Sequence, residues 1–152
     1  MITNGVSHIA LGVRNIDTSL AFYRDMLGFS VVRDELQSTQ GTVLPALYKE
    51  EHAERRVATL YWDKRPGAAF LVLSEHSDKP VDGEAIKLDQ IGIHHYALWV
   101  KDLPAVYEEL KAKDVQFVVA PTVTKTPEGN FHSAFLRDPD GILVQLDELV
   151  AD

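Results

Sequence analysis

"HIALGVRNIDTSLAFYRDMLGFSVV" (His8–Val32) lies over "HYALWVKDLPAVYEELKAKDVQFVV" (His95–Val119) without a gap, and this match decides how the chain is organised. His8 falls on His95, Ala10 on Ala97, Leu11 on Leu98, Val13 on Val100, and Val31-Val32 on Val118-Val119. Arg14-Asn15-Ile16 against Lys101-Asp102-Leu103 is chemically conservative. Self-similarity at this spacing means two copies of one unit.

Each copy opens with an alternating strand. Ile9, Leu11 and Val13 share one face, with Val6, His8, Ala10 and Gly12 on the other; in the second copy Tyr96, Leu98 and Val100 oppose Ile93, His95, Ala97 and Trp99. Both histidines therefore sit on the less apolar face, while His94 has the parity of Ser7 and is expected towards the helix side. A helix follows in each copy. Asp17 is the expected N-cap of the first, Leu20, Tyr23 and Leu27 recur at helical spacing, and Gly28 suits the left-handed position after the last turn. Pro104 fits the first turn of the second helix, with Val106, Tyr107 and Leu110 as its apolar stripe.

Three strands complete each copy: "FSVVRDEL", "RRVATLYWD" and "GAAFLVLSE", then "VQFVVAPTV", "HSAFLRD" and "GILVQLDEL". Asp138-Pro139-Asp140-Gly141 supplies the last turn. The fold class is α+β, two βαβββ modules spanning 1–78 and 91–152 joined by 79–90. Residues 37–56 are an insertion absent from the second copy, and Val43–Glu54 is expected to be partly helical. Within it "KEEHAERR" reads as a solvated helical face. With helices on one face, each sheet curls its other face into a concave surface bearing His8 and His95.

The 152 residues suffice for one such domain, and a formal charge of -8 opposes binding to nucleic acid or anionic membranes. There are no cysteines, which excludes disulfides and thiolate chemistry. Neither a secretory leader nor a membrane-length apolar run is visible, so a cytoplasmic protein is the expectation.

On the last strand Gln145 shares a face with Leu143 and Asp147. If the turn pairs Arg137 with Ile142, Ala134 lies opposite Gln145 and His132 opposite Asp147. That register brings His132, Gln145, His8 and His95 onto surfaces able to converge. Two imidazoles and an oxygen donor can hold a divalent metal with positions open for substrate. His132 is then the candidate acid/base, set against a plain surface histidine on an edge strand. Gln145 is set against a pocket hydrogen-bonder, and His8 and His95 against pocket residues that bind nothing. Trp99, Tyr61, Trp62 and Phe135 are candidates for an aromatic wall, each set against a core role. Glu75 and Glu148 have the parity opposite to Val72 and Gln145, and Asp138 and Asp140 belong to the turn.

The paired openings "VSHIALGVRNI" and "IHHYALWVKDL", the segment "SLAFYRDMLGFSVV" and the closing "FLRDPDGILVQL" resemble the vicinal oxygen chelate superfamily, which includes glyoxalase I, extradiol dioxygenases and bleomycin-resistance proteins. The resemblance implies a homodimer and metal ligands on the first and fourth strands of each module. Carried over, it implies His8, His95 and Gln145 as ligands, with Val72 at the remaining position unable to ligate. Glu is usual where this chain has Gln145. The pattern of two histidines and one oxygen donor looks like the extradiol branch, with Fe(II) or Mn(II) favoured over Ni(II) or Zn(II). That branch generally has Tyr where this chain has Phe135. The resemblance thus implies a metal-dependent dioxygenase- or glyoxalase-like enzyme acting on a small molecule with vicinal oxygens. The alternative is a metal-free, ligand-sequestering protein of the bleomycin-resistance kind.

Overall fold

The computed structural model describes residues 2–79, 83–127 and 129–150. The chain divides into two compact units, Met1–Gly83 and Glu84–Asp152, a boundary inside the expected connection 79–90, of which 80–82 lie outside the described residues.

Unit 1 runs β1 (His8–Gly12), α1 (Ile16–Leu20) continuing into a π-helical turn (Ala21–Met26), β2 (Ser30–Ser38), a 3-10 turn (Leu44–Leu47), β3 (Glu54–Tyr61) and β4 (Phe70–Glu75). Unit 2 runs β5 (His95–Trp99), α2 (Leu103–Ala112), β6 (Phe117–Thr126), β7 (Gly129–Arg137) and β8 (Leu143–Val150). The sheets are ordered β1-β4-β3-β2 and β5-β8-β7-β6, with the first and last strands of each unit parallel and the other neighbours antiparallel. Two βαβββ modules of an α+β fold are therefore present, as the repeat requires.

The helix-facing side of each sheet is the core. In unit 1 Val13, Ile16, Leu20, Tyr23, Ala58, Leu60, Leu71 and Leu73 are buried, and in unit 2 Tyr96, Leu103, Leu110, Ala134, Leu136, Val144 and Leu146. Their burial removes apolar area from water at about 25 cal/mol per Å², and period-2 alternation turns the intervening residues to the opposite face.

Each helix begins on a tether from the last strand of its unit. Glu75 accepts a hydrogen bond from the Ile16 amide (2.7 Å), and Glu148 accepts from the Asp102 and Leu103 amides (2.9 and 3.1 Å). Ile16 and Leu103 are equivalent in the repeat, so one carboxylate does the same work in both units, accepting N–H groups that lack partners within the helix. The side-chain cap of α1 is Asn15, accepting from the Thr18 amide at 2.8 Å, not the expected Asp17. Asp17 lies within the first turn and pairs with Arg56 at 2.9 Å. Asp102 caps α2 through the Ala105 amide. Gly28 has φ +78, the left-handed geometry its place after the helix asks for.

Three local expectations are corrected. The closing turn is a three-residue loop, Pro139 to Gly141, because the Asp138 carboxylate accepts from the Asp140 and Ile142 amides (3.0 and 2.8 Å) and the Asp138 amide donates to the Ile142 carbonyl. Arg137 consequently pairs with Leu143, which sets Phe135 opposite Gln145, Ser133 opposite Asp147 and His132 opposite Glu148. A shift of one residue exchanges every facing partner. Secondly, "KEEHAERR" is not helical; it runs from an irregular stretch into the start of β3, and helix in the insertion is confined to the 3-10 turn. Thirdly, β7 is an interior strand, so His132 is not on an edge.

Leu146→Ala opens a cavity in the core of unit 2 and is expected to cost about 2–5 kcal/mol in urea unfolding, whereas Gln145→Ala, on the same strand but the other face, costs under about 1 kcal/mol. The His132 imidazole, then the α2 amides, holds the Glu148 carboxyl below its ordinary value of 4.5. A lowered folded-state value gives stability that is full above the ordinary value and is lost as pH falls through the folded one. Glu148→Gln should therefore melt a few degrees below wild type at neutral pH, with the gap closing in acid in a thermal-melt series.

Candidate functional site

The face of unit 2 opposite α2 carries the chemistry. Ala97 of β5 pairs with Gln145 of β8, Trp99 with Asp147, and His95 with Leu143. His95 and Gln145 are thus diagonal neighbours on adjacent parallel strands, both on the face away from the helix. Phe135 of β7 is across from Gln145, and its ring meets that of His95 edge to face at 6.0 Å.

Gln145 is held in one orientation. Its side-chain amide nitrogen donates to Asp147 Oδ1 at 2.8 Å, and Ser133 Oγ donates to the same oxygen at 2.7 Å. An amide that gives its N–H₂ to a carboxylate must turn its carbonyl oxygen the other way, since two oxygens repel. The result is an oriented oxygen donor backed by a negative charge.

His95 Nδ1 lies 2.6 Å from His94 Nδ1, the rings 4.6 Å apart. Only one of those nitrogens can carry the shared proton, and with His95 as donor its Nε2 lone pair is free. His94 therefore works through His95. Burial, then the neighbouring His94, pushes the His95 imidazole below its ordinary value, while Asp147 acts in the opposite sense. A neutral imidazole at neutral pH is the form that ligates a metal or accepts a proton.

Unit 1 presents the same frame with different residues. His8 is exposed and stacks on Phe70 at 5.1 Å, and Tyr61 meets Phe70 at 5.1 Å. Ala10 pairs with Val72, the counterpart of Gln145, and Gly12 with Ser74, the counterpart of Asp147. Unit 1 thus offers an imidazole beside an aromatic shelf without the oriented amide. Trp62 packs on Phe29 and Trp99 on Phe131, each at 5.7 Å, and Trp99 is 70% exposed.

His132, the expected acid/base, is placed away from Gln145. It shares the parity of the buried Ala134 and Leu136, and its Nδ1 pairs with Glu148 Oε2 at 3.0 Å beside the α2 tether. Ser133 takes the position expected for it. Asp147 and Ser133 are the residues that sequence reasoning missed. Asp147 was visible by parity as a companion of Gln145, but Ser133 was hidden by the register of the turn.

An imidazole nitrogen, an amide oxygen and a carboxylate behind it are donors that a divalent first-row ion accepts. Among the described residues no three His, Cys, Asp or Glu side chains cluster as a complete metal cage. Unit 2 by itself therefore brings one imidazole and one oriented amide onto the same sheet face.

A fold of paired βαβββ modules with such a face defines a class, and the comparisons agree with it. The family model described as Glyoxalase/Bleomycin resistance protein/Dioxygenase superfamily matches residues 5–146, and the chain belongs to that family. It is 28% identical over 151 residues to a lactoylglutathione lyase of Pseudomonas putida, covering 92% of this chain and 82% of that protein. A glyoxalase family protein from Bacillus cereus superposes with a TM-score of 0.76 at 15% identity, covering 99% of each chain. TnmS3, an antibiotic binding protein from Streptomyces sp. CB03234, superposes with a TM-score of 0.64 at 20% identity over 99% of each chain. No helix among the described residues is long and apolar enough to cross a membrane.

His95 should titrate below an ordinary histidine when followed by NMR in metal-free protein. Asp147→Asn is expected to lower the midpoint further and His94→Ala to raise it, because the two neighbours act on the imidazolium with opposite sign.

Proposed function

We propose that the chain is a metal-dependent enzyme of the glyoxalase or dioxygenase kind, acting on a small molecule with two neighbouring oxygens. The observation that carries this reading is the hydrogen bond that the Gln145 amide nitrogen donates to Asp147, which leaves the amide oxygen as an oriented lone-pair ligand on the face that bears His95. The same orientation would serve a glutamine that accepts a hydrogen bond from a polar ligand, so the metal content separates the two roles.

In this reading His95 and Gln145 are two ligands, and His8 enters as the third through its correspondence to His95 in the repeat. Fe(II) or Mn(II) is favoured by the likeness to a triad of two histidines and a carboxylate, with the neutral Gln145 in the carboxylate's place weakening affinity, and Ni(II) or Zn(II) are further candidates. The bound ion would polarise the substrate's oxygens as a Lewis acid. Asp147 partly offsets its charge without ligating it, and a substrate binding through anionic oxygens supplies the remainder. Phe135, lacking a hydroxyl, contributes an apolar wall beside Gln145 and takes no proton. The acid/base step therefore falls to a group other than His132, whose imidazole is committed to Glu148.

A second reading, sequestration of a ligand without metal, is favoured by Val72, which removes a ligating position from unit 1, and by the exposed Trp99 packed on the half-buried Phe131. A homodimer is part of both readings. Ile93 and Trp99, 80% and 70% exposed around β5, offer apolar surface for a second copy.

Elemental analysis of protein purified without a metal-affinity tag decides between them. The enzyme reading expects near-stoichiometric metal, lost in His8→Ala and in His95→Ala, with Gln145→Glu binding at least about tenfold tighter because a carboxylate replaces a neutral oxygen. A protein that takes up none of the four ions under anaerobic loading overturns it. With metal in place, ring cleavage of a catechol and turnover of a glutathione hemithioacetal separate the dioxygenase and lyase chemistries.

A further inference from the structure

A second polar cluster lies in unit 1, built by the insertion and the end of β4. The insertion is pinned to the sheet: the Thr39 amide donates to the Ala53 carbonyl at 3.0 Å, and Thr39, itself fully buried, donates its hydroxyl to the His52 carbonyl. Asp78, just beyond β4, takes His52 Nδ1 at 2.8 Å and the Ala53 amide at 3.3 Å. This brings Tyr48 and His52 against His76. The three rings are in mutual contact, with centroids 4.9 Å (Tyr48–His76), 4.3 Å (His52–His76) and 5.3 Å (Tyr48–His52) apart.

The neighbouring strands add to the cluster. Arg56 pairs with Glu75 and Val57 with Ser74, so Arg55 lies beside His76, while Ser74 precedes His76 by two on the same face. Arg55 gives one guanidinium N–H₂ to Gln37, an uncharged partner, at 3.2 Å. Four polar atoms here are buried and have no hydrogen-bond partner among the described residues: Tyr48 Oη, Arg55 Nε, Ser74 Oγ and His76 Nε2. These are all such atoms found in the described structure, and they come from one neighbourhood of one unit. Unmade hydrogen bonds of buried groups cost about 1–3 kcal/mol each, more for a charged group. Their concentration in one place calls for a bound partner, a water, an ion or a small ligand.

We propose that this cluster binds the carboxylate of a small molecule. The donor set is one guanidinium, two hydroxyls and an imidazole, all able to donate to oxygen. Its charge suits a monoanion. Arg55 brings one positive charge, and the His76 imidazole is pushed below its ordinary value by burial first and then by His52, with Asp78 acting in the opposite sense and Arg55 adding to the lowering. Asp78 is engaged by His52 and the Ala53 amide, and its negative charge disfavours a dianion such as phosphate. None of these residues belongs to the His95–Gln145 face, so the inference stands whether or not the chain binds metal.

The test is an NMR titration of the full chain, freed of metal with chelator, using acetate as probe and the His76 ring signals as readout, with phosphate and chloride at matched ionic strength. Acetate should move the His76 signals saturably in the millimolar range, with phosphate weaker. Arg55→Gln should weaken acetate at least about tenfold, and Ser74→Ala and Tyr48→Phe several-fold each. The last two remove a hydroxyl that has no partner and leave packing intact, so both variants should melt no lower than wild type. Absence of a saturable shift in wild type, equal affinity in Ser74→Ala and Tyr48→Phe, or phosphate binding tighter than acetate would overturn the proposal. Since the probe is read without metal, failure here leaves the enzyme reading standing, and failure of metal binding leaves this site standing.

Discussion

The carboxylate that closes each last strand onto its helix is the constraint from which the rest follows. Glu75 and Glu148 accept the first helical amides of their units, which ties β4 to α1 and β8 to α2 at one defined residue. Once Glu148 faces the helix, strand alternation leaves no freedom: Leu146 and Val144 share its side, and Gln145 and Asp147 must face away. The donor pair of unit 2 is therefore a by-product of how its helix is capped. The same glutamate in unit 1 fixes Val72 and Ser74 in the matching positions, so the modules share a frame and differ in what the frame displays.

Much of this was legible because it depends on period and on paired copies. The gapless match of residues 8–32 with 95–119 showed that one module occurs twice, and alternation in "HIALG" and "HYALW" placed both histidines on the face opposite the helices. Gly28 and Pro104 announced helix ends through backbone chemistry alone. The parity argument also set Glu75 and Glu148 apart from any ligand role, and their hydrogen bonds to the helices give that exclusion a physical cause.

What failed to be legible depends on single side chains competing with the backbone. Asp138 replaces backbone partners with its own carboxylate and so shortens the loop by one residue, a choice invisible to pattern reasoning. That one step moved His132 from the Gln145 face to Glu148 and put Ser133 next to Asp147. Asn15 rather than Asp17 caps α1 for a similar reason, since either side chain can cap and only the tether from Glu75 decides where the first turn starts. The insertion was the least legible part. "KEEHAERR" has the charge spacing of a helix, yet the His52–Asp78 pair and the Thr39 anchor hold it in extended and irregular conformations.

Both units therefore contain a carboxylate that orients a neighbour, and comparing them shows what each arrangement is suited to. Asp147 takes the amide nitrogen of Gln145 and thereby turns an ambivalent side chain into an acceptor, which suits a cation. Asp78 takes the Nδ1 proton of His52 and fixes a ring beside donors that remain unused, which suits an anion. The difference traces to the strand positions that the shared frame exposes. Ser74 stands where unit 2 has Asp147, so the end of β4 carries a hydroxyl in place of a negative charge beside Arg55, Tyr48 and His76, and the nearby carboxylate, Asp78, is engaged by His52 and the Ala53 amide. The two last strands thus differ at one equivalent position, a hydroxyl at Ser74 and a carboxylate at Asp147.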